Sequence, residues 1–155
     1  MPAPLLVFGW GNASRGDDAL GPLFVQRLPL LLNAGQRRRV ELLEDYQLQV
    51  EHVLDLAGRH RVLFVDASVD ANGDATAPFA VAPVVAAQAA RAASHALTPA
   101  ELLRVYRQTT GSDAPPCTLL AIRGECFGLG EPVSDAAASN LDAALHWARG
   151  WVGGS

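Results

Sequence analysis

The sequence predicts an α/β fold: a three-layer sandwich in which about five mostly parallel strands carry helices on both faces. Three observations lead there. Leu5–Phe8 and Val62–Val65 are short runs apolar at every position, the pattern of strands buried on both faces. Each gives way to polar turn residues: Gly9, Gly11 and Asn12 after the first, Asp66 after the second. Helical apolar spacing then resumes between the runs, so strand and helix alternate. At 155 residues the chain is expected to form one domain, residues 1–155, with a sizeable core.

The elements follow in order. The first strand is Leu5–Phe8. A helix is expected from about Asp18 to Asn33, with Leu20, Phe24, Leu28, Leu31 and Leu32 inward. Pro22 fits only its first turn, and Pro29 should kink it or end it near Leu28. Asn33-Ala34-Gly35 reads as its stop, and Arg37-Arg38-Arg39 as part of the connection to the next strand. Val40–Glu44 is the second strand, Asp45-Tyr46-Gln47 a turn, and Leu48–Leu56 a helix ending at Ala57-Gly58. The third strand, Val62–Val65, closes at Asp66, before a loop over 67–78. Phe79–Ala82 lies between Pro78 and Pro83, as an edge strand would. Val84 to Ala93 reads as loose helix or coil. Thr98-Pro99-Ala100-Glu101 is a helix start, with an N-cap, a proline in the first position and a capping-box acid. That helix runs to about Gln108. Cys117–Ile122 is the fifth strand, Arg123–Pro132 a glycine-rich loop, and Ser134 opens a last helix ending near Trp151.

Composition excludes several functions. A net charge of −4 and a single short basic run give no surface for nucleic acid or an anionic membrane. No apolar segment reaches membrane-spanning length, and Met1-Pro2-Ala3-Pro4 lacks the charged start of a secretory signal. Two cysteines, Cys117 and Cys126, make neither a disulfide framework nor a zinc pair and read as buried thiols. The expected compartment is the reducing cytoplasm.

Candidate chemistry lies at the carboxyl ends of the strands, the edge where open α/β sheets bind ligands. Asp17 and Asp18 sit side by side where the first strand hands over to its helix. One acid there is an ordinary helix cap; a second has no such need. GWGNASRG departs from the dinucleotide fingerprint and lacks a P-loop ending, and paired acids would repel phosphate. Asp66, Glu44 and Asp45 fall at the same edge. Clustered carboxylates need a counter-charge, and a metal ion is the usual one. His95, in a loop before a capped helix, would complete an open site of two carboxylates and one imidazole. The structural alternatives are that Asp66 caps a turn and that His95 bonds backbone. His52 and His60 read as solvent-facing, and His146, near Trp147 and Trp151, as a packing residue.

These residues carry a resemblance. FGWGNASRGDDALGP resembles the N-terminal signature of the maturation endopeptidases of nickel–iron hydrogenases: a strand, G-x-G-N, a short turn, an acidic pair and a glycine, here Gly9, Gly11, Asn12, Asp17, Asp18 and Gly21. Val65-Asp66-Ala67 is similar to the family's Asp-Ala closing the third strand. Ser94-His95-Ala96-Leu97 is similar to its loop histidine, and Gly124-Glu125 and Gly130-Glu131-Pro132 to its late loop. The likeness runs in order over almost the whole chain. It departs after the second strand, where Asp45-Tyr46-Gln47-Leu48 replaces a Gly-Gly or Gly-Thr turn. In that respect it resembles the branch acting on soluble, cofactor-reducing hydrogenases.

The resemblance implies an endopeptidase that removes a short C-terminal extension from the hydrogenase large-subunit precursor once nickel is installed. It implies Asp18, Asp66 and His95 as the groups meeting the nickel, which the substrate carries and other divalent metals replace in vitro. Some members have glutamate at the first of these positions, so Asp18 reaches one methylene less. The resemblance also implies a monomer. Either the metal polarises the scissile carbonyl or a water, or Asp17 or Asp18 acts with Asp66 as an aspartic pair. The alternatives are a non-catalytic metal-binding maturation chaperone of the same fold, and a small-molecule enzyme binding phosphate at the glycine-rich turn.

Overall fold

Strands β1 (Leu5–Trp10), β2 (Val40–Asp45), β3 (Arg61–Ser68), β4 (Phe79–Pro83) and β5 (Cys117–Arg123) form one sheet in the order β2-β1-β3-β5-β4. This is the arrangement in a computed structural model, which describes residues 2–69, 76–89 and 96–154. β1, β2, β3 and β5 are parallel; β4 runs antiparallel to β5 at the sheet edge, as its flanking prolines predict. The helices are α1 (Leu20–Arg27), α2 (Ala34–Arg39), α3 (Val53–Leu56), α4 (Pro99–Thr110) and α5 (Asp135–Gly153).

The pleat of the strands divides the core into two layers. Leu5, Val7, Leu63, Val65, Leu120 and Ile122 point to one face, where Leu20, Phe24, Leu28 and the small stripe Ala137, Ala144 and Ala148 of α5 cover them. Leu6, Phe8, Val62 and Phe64 point to the other, beneath Val53, Leu56, Leu102 and Leu103. The expected three-layer α/β sandwich is therefore the observed one.

Several boundaries differ from expectation, each for a local reason. The helix expected over Asp18–Asn33 is three pieces: a 3-10 turn at Gly16–Ala19, then α1, then a 3-10 turn at Leu28–Leu31. Pro29 cannot donate the bond an α-helix would need there. Asn33 starts a helix rather than stopping one. Its side chain accepts from Gln36 N–H while the Gln36 side chain accepts from Asn33 N–H, and the three arginines fill the last turn of α2. The segment expected as helix over Leu48–Leu56 is a 3-10 turn at Val50–His52 followed by the single turn of α3. β3 continues past Asp66 to Ser68, because β5 is long enough to pair with it there. Residues 84–89 are not helical, and 90–93 lie outside the described residues. The start of α4 is as expected: Thr98 caps Glu101 N–H and the Glu101 carboxylate caps Thr98 N–H.

One feature of the topology positions the site. From β1 the chain crosses first to β2 on one side and then to β3 on the other. The crossovers diverge between β1 and β3, the place beyond the carboxyl ends where open α/β sheets bind ligands. The residues after β1 and at the end of β3 are those that carry Asp17, Asp18 and Asp66.

Candidate functional site

The approach of the first helix to the sheet depends on glycine. A Cβ on Gly9 would lie 2.4 Å from Gly21 O, and one on Gly21 would lie 2.3 Å from Trp10 O. Backbone meets backbone at both points, which draws the 3-10 turn bearing the two acids down onto the strand end. Gly11 turns the chain out of β1 at φ +151, and a Cβ there would overlap Asp18 O at 2.0 Å.

The two adjacent acids have different environments. Asp17 is fully buried. Its Oδ1 accepts from Ser134 N–H at 2.7 Å, and its Oδ2 accepts from Glu125 N–H at 2.7 Å, Cys126 N–H at 2.9 Å and the Ser134 hydroxyl at 2.7 Å. Its own N–H donates to Cys126 O at 2.7 Å. Burial alone would raise this carboxyl, but the four donors outweigh burial and hold it below 3.8. Asp17 thus ties the glycine-rich loop and the N-terminus of α5 to the turn after β1. This is neither the helix cap expected of one acid nor the geometry of a free reacting group. Gly124 is part of the same joint, since a Cβ there would stand 2.7 Å from Asp17 Cβ.

Asp18 is half-buried. Its Oδ2 accepts from Asn12 N–H at 2.7 Å. Asp66, on the neighbouring strand end, accepts from Ala67 N–H at 2.8 Å through Oδ1. Burial raises the Asp66 carboxyl from 3.8 to about 7; the Ala67 N–H opposes this, and the negative charge of Asp18 adds to it. Asp18 and Asp66 therefore lie within each other's field, as two acids sharing one cleft do.

His95 lies outside the described residues, as does Ser94. Among the described residues no group of three His, Cys, Asp or Glu side chains is arranged to hold a metal ion. A metal ion held by Asp18 and Asp66 would need a further donor from outside this pair. Glu44 and Asp45 reach the same edge but turn aside. Glu44 accepts from the Gln26 amide at 3.2 and 3.4 Å, and Asp45 meets His52 at 3.1 Å.

Three side chains sit otherwise than expected. His52 is not solvent-facing: its side chain is 12% exposed, packed edge-on against Phe8 with ring centroids 4.4 Å apart. The signal for this was the spacing from Gln49, because His52 Nδ1 accepts Gln49 N–H at 2.8 Å in a capping arrangement. His146 is exposed beside Asp142 rather than packed on the tryptophans. Cys117 is buried, as expected, whereas Cys126 is exposed in the loop that Asp17 holds. His60 is exposed.

The fold has solved counterparts. The chain is similar to the [NiFe] hydrogenase maturation protease HycI from Thermococcus kodakarensis, at 24% identity and a TM-score of 0.73 over 97% of this chain and 93% of that one. It is similar to the hydrogenase maturating endopeptidase HybD from E. coli, at 20% identity and a TM-score of 0.70 over 96% and 90%. A hydrogenase 2 maturation peptidase from a Thaumarchaeota archaeon gives 22% identity and 0.67 over 96% and 97%. At these identities the likeness establishes a shared fold over nearly the full length of both chains. No protein-family model and no curated protein sequence matches the chain.

Proposed function

We propose that this chain is an endopeptidase that removes a short C-terminal extension from the nickel-loaded large-subunit precursor of a nickel–iron hydrogenase. The observation that carries the proposal is the pair Asp18 and Asp66, 48 residues apart in sequence, which stand at the carboxyl ends of adjacent strands close enough for the charge of one to raise the other. The names of the similar structures, and the sequence resemblance that includes His95, support the same reading.

In this reading the nickel belongs to the substrate. Asp18, Asp66 and His95 engage it where the precursor leaves coordination positions open, and this docks the cleavage point beside the carboxylates. Two oxygens and an imidazole suit several divalent ions. Docking converts hydrolysis into a positioned, near-intramolecular event. Burial holds the metal-free Asp66 carboxyl at about 7; the docked metal favours its carboxylate, which can accept the proton of an attacking water. Asp17 is assigned a positioning role, holding the turn on which Asp18 stands. The protein is proposed to act as a cytoplasmic monomer; among the described residues no helix is long and apolar enough to cross a membrane.

The test is mass spectrometry of the nickel-loaded precursor incubated with the wild-type chain and with Asp18→Asn, Asp66→Asn and His95→Ala. Shortening by wild type alone, with nickel-dependent binding also lost in the variants, supports ligation of the substrate metal. Binding retained with cleavage lost assigns the carboxylates to water activation. A precursor of unchanged length beside the wild-type chain would reject the proteolytic reading in favour of a metal-binding chaperone.

A further inference from the structure

We infer that His52 is a positioning residue for Asp18, acting through Asp45 and the Gly11–Asn12 turn; the inference rests on the assignment of Asp18 to the site. His52 Nδ1 accepts the Gln49 N–H at 2.8 Å. That bond fixes the tautomer: the ring proton of neutral His52 sits on Nε2, which points at Asp45 Oδ2 at 3.1 Å. Capping of the Val50–His52 turn accounts for the first bond and leaves the second unexplained.

Asp45 is the last residue of β2, in register with Trp10. Its side chain is held from two sides, by His52 at Oδ2 and by Tyr46 N–H at Oδ1, 2.6 Å away. Its carbonyl accepts Gly11 N–H at 3.2 Å, extending the β1–β2 pairing one residue past the strand. Asn12 follows Gly11 directly, and its side-chain amide donates to the Tyr46 hydroxyl at 3.2 Å. Asn12 N–H is the group that holds Asp18 Oδ2 at 2.7 Å. The donor for Asp18 is thus mounted on a turn tied at Gly11 to Asp45 and at Asn12 to Tyr46. His52 holds the Asp45 side chain, which also accepts Tyr46 N–H, and so braces the two residues whose backbone carbonyl and hydroxyl supply these anchors.

His52 also fixes this assembly relative to the strand beneath. Its ring stands edge-on to Phe8 at 82°, and Phe8 stands two residues before Trp10 on the same face of β1. One imidazole therefore joins the apolar core to the end of β2, from which the turn is held. Glu51 is the acidic neighbour of His52 along the chain and is exposed.

The test compares His52→Phe, which keeps a ring against Phe8 and removes both nitrogens, with His52→Gln, which returns an amide donor toward Asp45. Two readouts are taken on the full chain. The first is the Asn12 amide resonance, moved downfield by its short bond to a carboxylate. The second is cleavage of the nickel-loaded precursor. In His52→Phe the Asn12 amide is expected to move upfield and kcat to fall about tenfold with KM held, because misplacing a reacting group acts on the chemical step. His52→Gln is expected to restore both. A folded His52→Phe chain with an unmoved Asn12 amide and full activity would overturn the inference. Should His52→Phe not fold, Asp45→Ala removes the acceptor instead and must move the same resonance. The amide readout needs no substrate, so a wild-type chain that leaves the precursor intact would reject the proposed function and leave the positioning role to be decided by the Asn12 signal.

Discussion

Replacement of Asp17 by alanine should be among the most damaging single changes in this chain, although the residue reaches no substrate. Four donors lose their acceptor: two backbone N–H groups in the exposed loop at Glu125 and Cys126, and the N–H and hydroxyl of half-buried Ser134. Water can reclaim the loop donors, so the cost falls mainly on the Ser134 pair. Two such donors, at about 1–2 kcal/mol each, give a loss of roughly 3 kcal/mol. For a domain of this size that lowers Tm by about 9 °C. The pH dependence follows from the depressed carboxyl. Above its unfolded value of 3.8 the native bonds contribute fully, and the contribution fades as pH falls through the lower folded value. Urea denaturation followed by tryptophan fluorescence should show the wild-type advantage undiminished from pH 7 to about pH 5 and narrowing below 4. An advantage under about 1 kcal/mol, well short of one unsatisfied buried donor for each Ser134 group, would refute the reasoning. So would one that stays constant down to pH 3.

Asp66 should show the opposite sign. Its native carboxyl holds a proton up to about 7, so stability is fully present below 3.8 and declines as pH rises toward 7; metal-free Asp66→Asn should remove up to about 4 kcal/mol of that decline, and a carboxyl carbon titrating near 4 would contradict it. Gly21→Ala, which drives a methyl to 2.3 Å from Trp10 O, should cost about 3 kcal/mol, and a variant with the wild-type denaturation midpoint would show that the turn slides freely on the strand. Iodoacetamide should label Cys126 in the native protein, faster as pH rises, because desolvation and the charges of Glu131, Asp17 and Glu125 raise its thiol above 9.0. Cys117, buried and pushed up to about 12, should be labelled only after unfolding, as peptide mass mapping would register.

The sequence carried most of the sheet because its signals are local. Four of five strands are apolar runs bounded by turn residues, and Thr98-Pro99-Ala100-Glu101 states a helix start within four positions. The errors arose where one local signal competed with another. Asn33 lies between Leu32 and Gly35, and a stop and a start read alike until the Gln36 side chain is seen to return its bond. The end of β3 at Asp66 was misjudged because a polar residue inside a strand breaks the apolar run, while strand pairing with Ala121 ignores the side chain. The site was legible as far as the acids, since a carboxylate pair at a strand end is visible in one dimension. The division of labour between them was not. It depends on Ser134, 117 residues away, and on two N–H groups that have no sequence signature. His52 was missed for the same reason: its Nε2 partner is set by the register of β2 against β1.

That division has a physical consequence for the crevice. Two adjacent carboxylates left bare beside Asp66 would repel one another and resist a third. The fold directs four donors onto Asp17 and buries it in the loop joint, where its charge acts on the Cys126 thiol. The charge of Asp18 is the one that adds to the rise of the Asp66 carboxyl. Among the described residues Asp18 takes one hydrogen bond, through Oδ2, and Asp66 one, through Oδ1. Saturating the first acid fixes the turn on which the second, half-buried, stands. On the proposed function, a cation engaging both Asp18 and Asp66 would drive the proton from Asp66 as it binds.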